Sequence, residues 1–275
     1  MTDQTPAVVL NQRTKGVTEV VLNYPEKRNA FDDLIIRRLI DALEQVASDD
    51  QTRVVIVRSE GKHFSAGADL AWMQRMAGNS REENLADARQ LARLMSTLNQ
   101  LPKPVIGLVQ GAAFGGAVGL AACCDIVLAT ETSNFCLSEV KLGLIPAVIS
   151  PYVVRAIGER QARRYFITAE IFTARQAEHF GLVHEVCEDV AAINHRCDEL
   201  LQQLALNGPE AMKAAKDLVF AVSHKVIDKD IIDDTAKRIA DIRVSAEGQE
   251  GLSAFLDKRK ANWVEADKNG NSDNV

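Results

Sequence analysis

The sequence has no apolar run approaching the roughly 18 residues that a membrane-crossing helix needs. Its opening, MTDQTPAVV, carries neither a basic stretch before an apolar one nor an Arg-rich amphipathic pattern, the marks of secretory and organellar leaders, and residence in the cytoplasm is expected. Cys-x-x-Cys is missing. The five cysteines, Cys123, Cys124, Cys136, Cys187 and Cys197, form an odd set with one adjacent pair, which suits neither a disulfide framework nor a zinc site and leaves small buried hydrophobes as their role. The five histidines, His63, His179, His184, His195 and His224, are scattered without ligand spacing, so no metal centre is expected. Also absent are GxGxxG behind a strand, GxxxxGK(S/T), HExxH and GxSxG, which removes the motifs of dinucleotide enzymes, nucleotide hydrolases, zincins and serine hydrolases. A basic surplus is lacking too. The 32 Lys and Arg against 38 Asp and Glu leave a net charge of -6, the wrong sign for a protein that tracks a phosphate backbone. The cluster Lys258-Arg259-Lys260 reads equally well as a basic spot and as a solvated helix face.

What remains is an ordinary globular composition, 47% hydrophobic and 25% charged over 275 residues, enough for one large domain or for a core with a smaller helical appendage. The β-branched runs 8–12 and 17–22 flank Arg13-Thr14-Lys15-Gly16 and predict a hairpin. A polar loop, 24–31, precedes Ile35, Leu39, Ala42, Leu43 and Val46 at helical spacing, and Val54-Val55-Ile56-Val57 is a continuous apolar run of the kind buried on both faces. Loop 60–70 leads on to a helix over 81–101, stopped by Leu101-Pro102-Lys103-Pro104. Further strands are expected at 105–109, 126–129, 135–137 and 182–186. Ser150-Pro151 predicts an N-cap with proline at the first helical position, opening a helix that Gly158 stops and 160–168 resumes; Thr173 caps another to Phe180. Beyond 191 only helical patterns occur, at 191–205, 210–222, 231–244 and 252–263. The expectation is an α/β core over 1–195 holding the site, a helical module over 196–264 whose apolar faces need covering, and a frayed polar tail over 265–275.

The chemistry is expected in the stretch 105–146. There an apolar strand pattern runs into Gln110-Gly111-Ala112-Ala113-Phe114, and Gly115-Gly116 opens a helical segment. A helix start offers backbone N–H groups without intrahelical partners at the positive end of the dipole, and glycines let a ligand approach them. Ser65-Ala66-Gly67-Ala68, in loop 60–70, is a second small-residue segment. Two amides from separate loops aimed at one oxygen make an oxyanion hole, and Ala66 and Gly116 are the expected donors. Tight turns without a ligand would account for the same spacing. Glu139, inside the apolar Phe135-Cys136-Leu137-Ser138-Glu139, is a carboxylate that needs a reason.

His63-Phe64-Ser65-Ala66-Gly67-Ala68-Asp69-Leu70, Pro104-Val105-Ile106-Gly107 running into Gly111-Ala112-Ala113-Phe114-Gly115-Gly116-Ala117, Cys124-Asp125-Ile126 and Ser138-Glu139-Val140-Lys141-Leu142-Gly143-Leu144-Ile145-Pro146 together resemble the enoyl-CoA hydratase/isomerase (crotonase) superfamily, over residues 8–263. The resemblance implies an α/β spiral of ββα units, a C-terminal helical trimerisation module, a homo-oligomer that is a trimer or dimer of trimers, and an acyl-CoA thioester substrate with no separate cofactor. It implies that the Ala66 and Gly116 amides hold the thioester enolate and that Glu139 transfers the proton. Lys27, Arg28 and Ala30, with Ala66, Gly67, Ala68, Asp69 and Gly116, are implied to line the substrate, and Phe255 and Lys258 to reach its nucleotide end. Members with two catalytic glutamates carry the second three residues after the oxyanion glycine; here that position is Gly119. Residues 144–170 resemble the bacterial methylglutaconyl-CoA hydratase branch, which implies hydration of a branched, carboxylated enoyl-CoA in leucine catabolism. Arg155 is the candidate for the distal carboxylate. The alternatives are an isomerase working with one glutamate and a protein that binds CoA or RNA without turnover.

Overall fold

The computed structural model describes residues 6–264; the tail expected at 265–275 lies outside the described residues. The chain forms two compact units, Met1–Asp198 and Glu199–Val275.

In the first unit, β1 (Val8–Thr14) and β2 (Val17–Leu22) form the expected hairpin around Gly16, whose φ of 78° belongs to the left-handed region that glycine enters without a Cβ clash. Helix α1 (Asp33–Ser48) begins where the Asp32 carboxylate accepts from Ile35 N at 2.7 Å, and it buries Ile35, Ile36, Leu39, Ile40, Leu43 and Val46. Next come β3 (Val54–Ser59), α2 (Leu70–Gly78), α3 (Arg81–Asn99), β4 (Val105–Val109), β5 (Ala112–Phe114), α4 (Gly116–Cys123), β6 (Ile126–Thr130) and β7 (Asn134–Cys136). They are followed by α5 (Ser150–Thr168), β8 (Phe172–Thr173), α6 (Ala174–Phe180), β9 (Glu185–Cys187) and α7 (Val190–Ala205). The main sheet has the order β1-β2-β3-β4-β6-β9, parallel from β2 onward, and β5-β7-β8 form a small second sheet. Parallel strands joined by helical crossovers are covered on both faces, which explains why β3 and β4 read as unbroken apolar runs.

Several expectations shift. Helix α2 lies between the expected loop, 60–70, and the expected helix, 81–101, where no element is predicted. It is short, and what starts it is the Asp69 carboxylate accepting from Ala71 N and Trp72 N. Ser150 is not the N-cap of α5 but its first residue; its hydroxyl donates back to Ala147 O at 2.7 Å, and Ile149 precedes it. Gly158 does break that helix, at φ 75°.

The second unit contains α8 (Pro209–Val222), α9 (Lys229–Val244) and α10 (Ala246–Leu256). Gly208, ahead of α8, has no side chain to cap with. Glu247 supplies the acceptor instead, taking Glu210 N at 3.0 Å and Ala211 N at 2.8 Å. The last helix starts six residues earlier than the apolar pattern predicts, because Ser245 caps it through Gly248 N. The division between the units falls between Asp198 and Glu199, inside α7.

Candidate active site

Three segments of the first unit are stitched together by main-chain bonds. Residues 64–65 pair with 110–114 through Phe64 N to Gln110 O (2.8 Å), Ser65 N to Ala112 O (3.0 Å) and Phe114 N to Ser65 O (3.0 Å). The loop 24–31 lies along 66–69: Ala66 N donates to Arg28 O (3.0 Å), Phe31 N to Gly67 O (2.7 Å) and Asp69 N to Phe31 O (2.7 Å). Lys27 Nζ meets Asp69 Oδ2 at 3.2 Å, across the same seam. Burial alone would raise the Asp69 carboxyl, but the Trp72 amide and Lys27 outweigh it and hold it below the usual 3.8. Gly67 needs its missing Cβ, which would sit 3.0 Å from Phe114 O. Lys27, Arg28 and Ala30 are therefore gathered against Ala66, Gly67, Ala68 and Asp69.

This stitching corrects one assignment. The Ala66 amide is spent on Arg28 O, so it is not available to a ligand. The parallel bridge between Phe31 and Ala68 uses the groups of Gly67 and Asp69 on either side and turns the Ala68 amide the other way. Among the described residues the Ala68 N–H, on an exposed residue, has no hydrogen-bond partner, and neither has the N–H of Gly116, the first residue of α4. Gly67, just before Ala68, takes the φ of 92° that goes with that turned amide, and a glycine at this place is the trace it leaves in the sequence. Gly116 sits over the Phe31 ring, where a Cβ would be 3.3 Å from Cδ2 and Cε2. Phe31 thus has the Ala68 backbone on its own backbone and Gly116 on its ring.

Glu139 opens a 3-10 turn, Glu139–Leu142, after β7. Its Oε1 lies 3.3 Å from where a Cβ on Gly115 would be, and its Oε2 is buried without a hydrogen-bond partner. Loss of water pushes the carboxyl above the usual 4.5, opposed only by a backbone hydrogen bond. A half-buried acid with an unpartnered oxygen, packed against Gly115 and so next to the residue whose amide is free, has the surroundings expected of a proton-transfer group.

The position three residues past Gly116 is closed. A Cβ on Gly119 would lie 2.3 Å from Ile149 Cγ2, 2.8 Å from Ile149 Cβ and 3.1 Å from Met95 Sδ. Ile149 and Met95 are 2% and 0% exposed. Sequence gave no sign of this contact, since 95, 119 and 149 are far apart in the chain. Arg155 is not in the group about Glu139. It lines a cleft of about 200 Å³ with Asn99, Cys124, Asp125, Tyr152 and His184, beyond the C-terminal end of α4, a helix whose eight residues put about 12 Å between that end and Gly116. Phe255, 81% exposed, and Lys258, also exposed, belong to the second unit. No cluster of three or more His, Cys, Asp or Glu able to hold a metal occurs among the described residues, and no helix among them is long and apolar enough to cross a membrane.

Unpartnered amides at Ala68 and Gly116, both against Phe31, and a desolvated carboxyl against Gly115 are groups of the kind an enolate-stabilising enzyme uses. The comparisons agree. The family model described as Enoyl-CoA hydratase/isomerase matches residues 12–266, and the chain belongs to that family, with the crotonase fold. It is similar to the crystal structure of an enoyl-CoA hydratase from Shewanella pealeana, at 48% identity, TM-score 0.91, and coverage of 94% of this chain and 97% of that one. It is also similar to the 2,3-dehydroadipyl-CoA hydratase of Escherichia coli, 30% identical over 90% of this chain and 94% of that protein. A trans-2-decenoyl-[acyl-carrier-protein] isomerase of Streptococcus mutans is 28% identical over 93% of this chain and 97% of its own length.

Proposed function

We propose that the protein hydrates a branched, carboxylated 2-enoyl-CoA of the methylglutaconyl type, with the thioester oxygen held between the Ala68 and Gly116 amides and Glu139 as the proton carrier. The observation that carries the reading is Glu139 Oε2, buried and unpartnered beside the turn that presents the Gly116 amide. Two fixed N–H groups stabilise the negative charge that grows on the thioester oxygen as a nucleophile adds at Cβ, and the α4 N-terminus adds its dipole. Ionised Glu139 takes a proton from water as the water oxygen bonds to Cβ. The same carboxyl, now protonated, returns a proton to Cα as the enolate collapses. One water is consumed and Glu139 is regenerated. Burial raises the Glu139 pKa above its usual 4.5, which makes the protonated form easier to reach than for a solvated carboxylate.

The carboxylated acyl group rests on the likeness of residues 144–170 and on the dicarboxylic acyl named in the Escherichia coli relative. Lys27 with Arg28 is proposed to meet the CoA portion, Phe255 and Lys258 of a neighbouring copy its nucleotide end, and the homo-oligomer to form through the second unit, where Val226, Ile227, Val244, Phe255 and Leu256 are largely exposed.

A second reading, isomerisation of a 3-enoyl-CoA, is favoured by the closed space at Gly119, which leaves one acid for a proton that shuttles between two carbons. Purified protein is incubated separately with 3-methylglutaconyl-CoA and with 3-hexenoyl-CoA while the absorbance of the conjugated thioester is followed. Loss with the first supports hydration, and a gain with the second supports isomerisation. No change with either removes both readings.

A further inference from the structure

We propose that His63 is a positioning residue: its neutral imidazole stands in for a main-chain acceptor and holds the turn that leads to Gly116 in register with the loop that leads to Ala68. The inference rests on the reading of those two amides as an oxyanion hole.

The ladder between the two segments is irregular at His63. The parallel pairing that runs through Ser65 and Ala113 would, two residues earlier, send the Ala112 N–H to the His63 carbonyl. Instead Phe64 N takes Gln110 O, and the His63 carbonyl is turned away to accept from Asn29 Nδ2 at 2.9 Å and Ser59 Oγ at 3.1 Å. The Ala112 N–H is left to His63 Nδ1, at 3.1 Å. The side chain thus supplies the rung that its own backbone gave up. There is no slack for the turn to settle elsewhere, because a Cβ on Gly111 would lie 2.2 Å from Lys62 O and 2.8 Å from His63 Nδ1. Asn29 anchors the other side of the bulge. It is 1% exposed, its Nδ2 also donates to Glu60 O at 2.8 Å, and its Oδ1 accepts from Tyr24 N at 2.8 Å. Asn29 adjoins Arg28, whose carbonyl takes the Ala66 amide, and the bulge therefore ties all three segments that shape the donor pair.

An acceptor at Nδ1 requires the neutral ring with its proton on Nε2. An imidazolium would point an N–H at the Ala112 N–H and open the rung. The charged groups facing the ring are Lys62 and Arg28, both cations; the nearby Glu60 carboxylate is occupied by Arg58 at 2.6 Å, and residues 110–112 are uncharged. Burial, then these two cations, keep His63 below its ordinary 6.5, on the neutral side at physiological pH.

The experiment compares His63→Ala, His63→Gln and His63→Asn in the full-length protein. Asn places its Oδ1 near the Nδ1 position and does not titrate; Gln places its amide further out. Turnover is read on whichever enoyl-CoA the wild type converts, across pH 5 to 9, and donor-pair geometry is read as the red shift of 2,4-hexadienoyl-CoA absorbance on binding. The expected result is a kcat about tenfold lower for Ala and Gln with KM little changed, and a reduced red shift, as a small displacement of a reacting geometry produces. His63→Asn is expected to keep kcat and the red shift and to lose the acid limb of the kcat profile that His63 contributes. Wild-type red shift with unchanged kcat and shift in Ala and Gln overturns the positioning role. So does a His63→Asn as impaired as His63→Gln, the comparison that carries the test if the Ala variant does not fold. Absence of any red shift in the wild type overturns the donor pair itself, and the proposal with it.

Discussion

The Ile149 side chain occupies the space that a Cβ on Gly119 would need, its Cγ2 lying 2.3 Å from that position. The two residues are complementary: the branched residue fills what the glycine leaves, and Met95 Sδ closes the same gap from α3. A carboxylate cannot simply be added at 119. Gly119→Glu is expected to lower stability by about 1–3 kcal/mol or more through overpacking, seen as a lower midpoint in urea. Adding Ile149→Ala to it is expected to recover part of that loss and to raise hydratase turnover above that of Gly119→Glu alone.

Gly116 is the first residue of α4, a position where a helix tolerates proline and where the N–H has no intrahelical use. Gly116→Pro therefore deletes a donor with little demand on the helix, while Gly116→Ala keeps the N–H and asks the Phe31 ring to give by a few tenths of an ångström. Relative to the Ala variant, kcat of the Pro variant is expected to fall by about 10² to 10³. Circular dichroism checks that α4 survives in both.

Glu139→Gln removes the proton carrier and is expected to reduce kcat by about 10² to 10⁴. Its effect on stability has a defined sign. Because burial raises the folded-state pKa above 4.5, folding favours the protonated acid, so the associated stability is fully present below pH 4.5 and is lost as pH rises through the raised value. The Gln variant, which cannot ionise, is expected to melt higher than wild type at pH 8, with the difference shrinking towards pH 4. Thermal melts across that range decide it.

Glu19, 5% exposed on β2, is clamped between Arg13 at 3.0 Å and Arg58 at 2.8 Å. Glu19→Ala leaves two half-buried guanidiniums with a missing acceptor and is expected to cost about 3–5 kcal/mol. Since this clamp does not touch the segments about Glu139, kcat of the folded fraction is expected to stay near wild type. Urea melts and active-site-normalised rates separate the two effects.

Most strands and helices were legible because each rests on local rules: β-branched runs, the Thr173 cap, the break at Gly158, the glycines of 115–116; α2, β5 and β8, short elements held by bonds to other segments, were not. Glu139 and Gly116 stood out for the same reason, as an acid among apolar residues and a glycine at a helix start. Which amide of the second loop stays free was not local. Ala66 and Ala68 are the same residue type two places apart, and only the pairing of that loop with Arg28 and Phe31 decides that one is spent and the other open. The filling of Gly119 by Ile149, the use of the His63 ring by Ala112 and the placing of Arg155 in one cleft with Asp125 and His184 likewise required the folded chain. Chain-local patterning fixes which residues can form an element, because backbone geometry repeats every few residues; hydrogen-bond commitments and packing between distant segments are settled only when those segments meet, and it is there that this site acquires its free donors and its single acid.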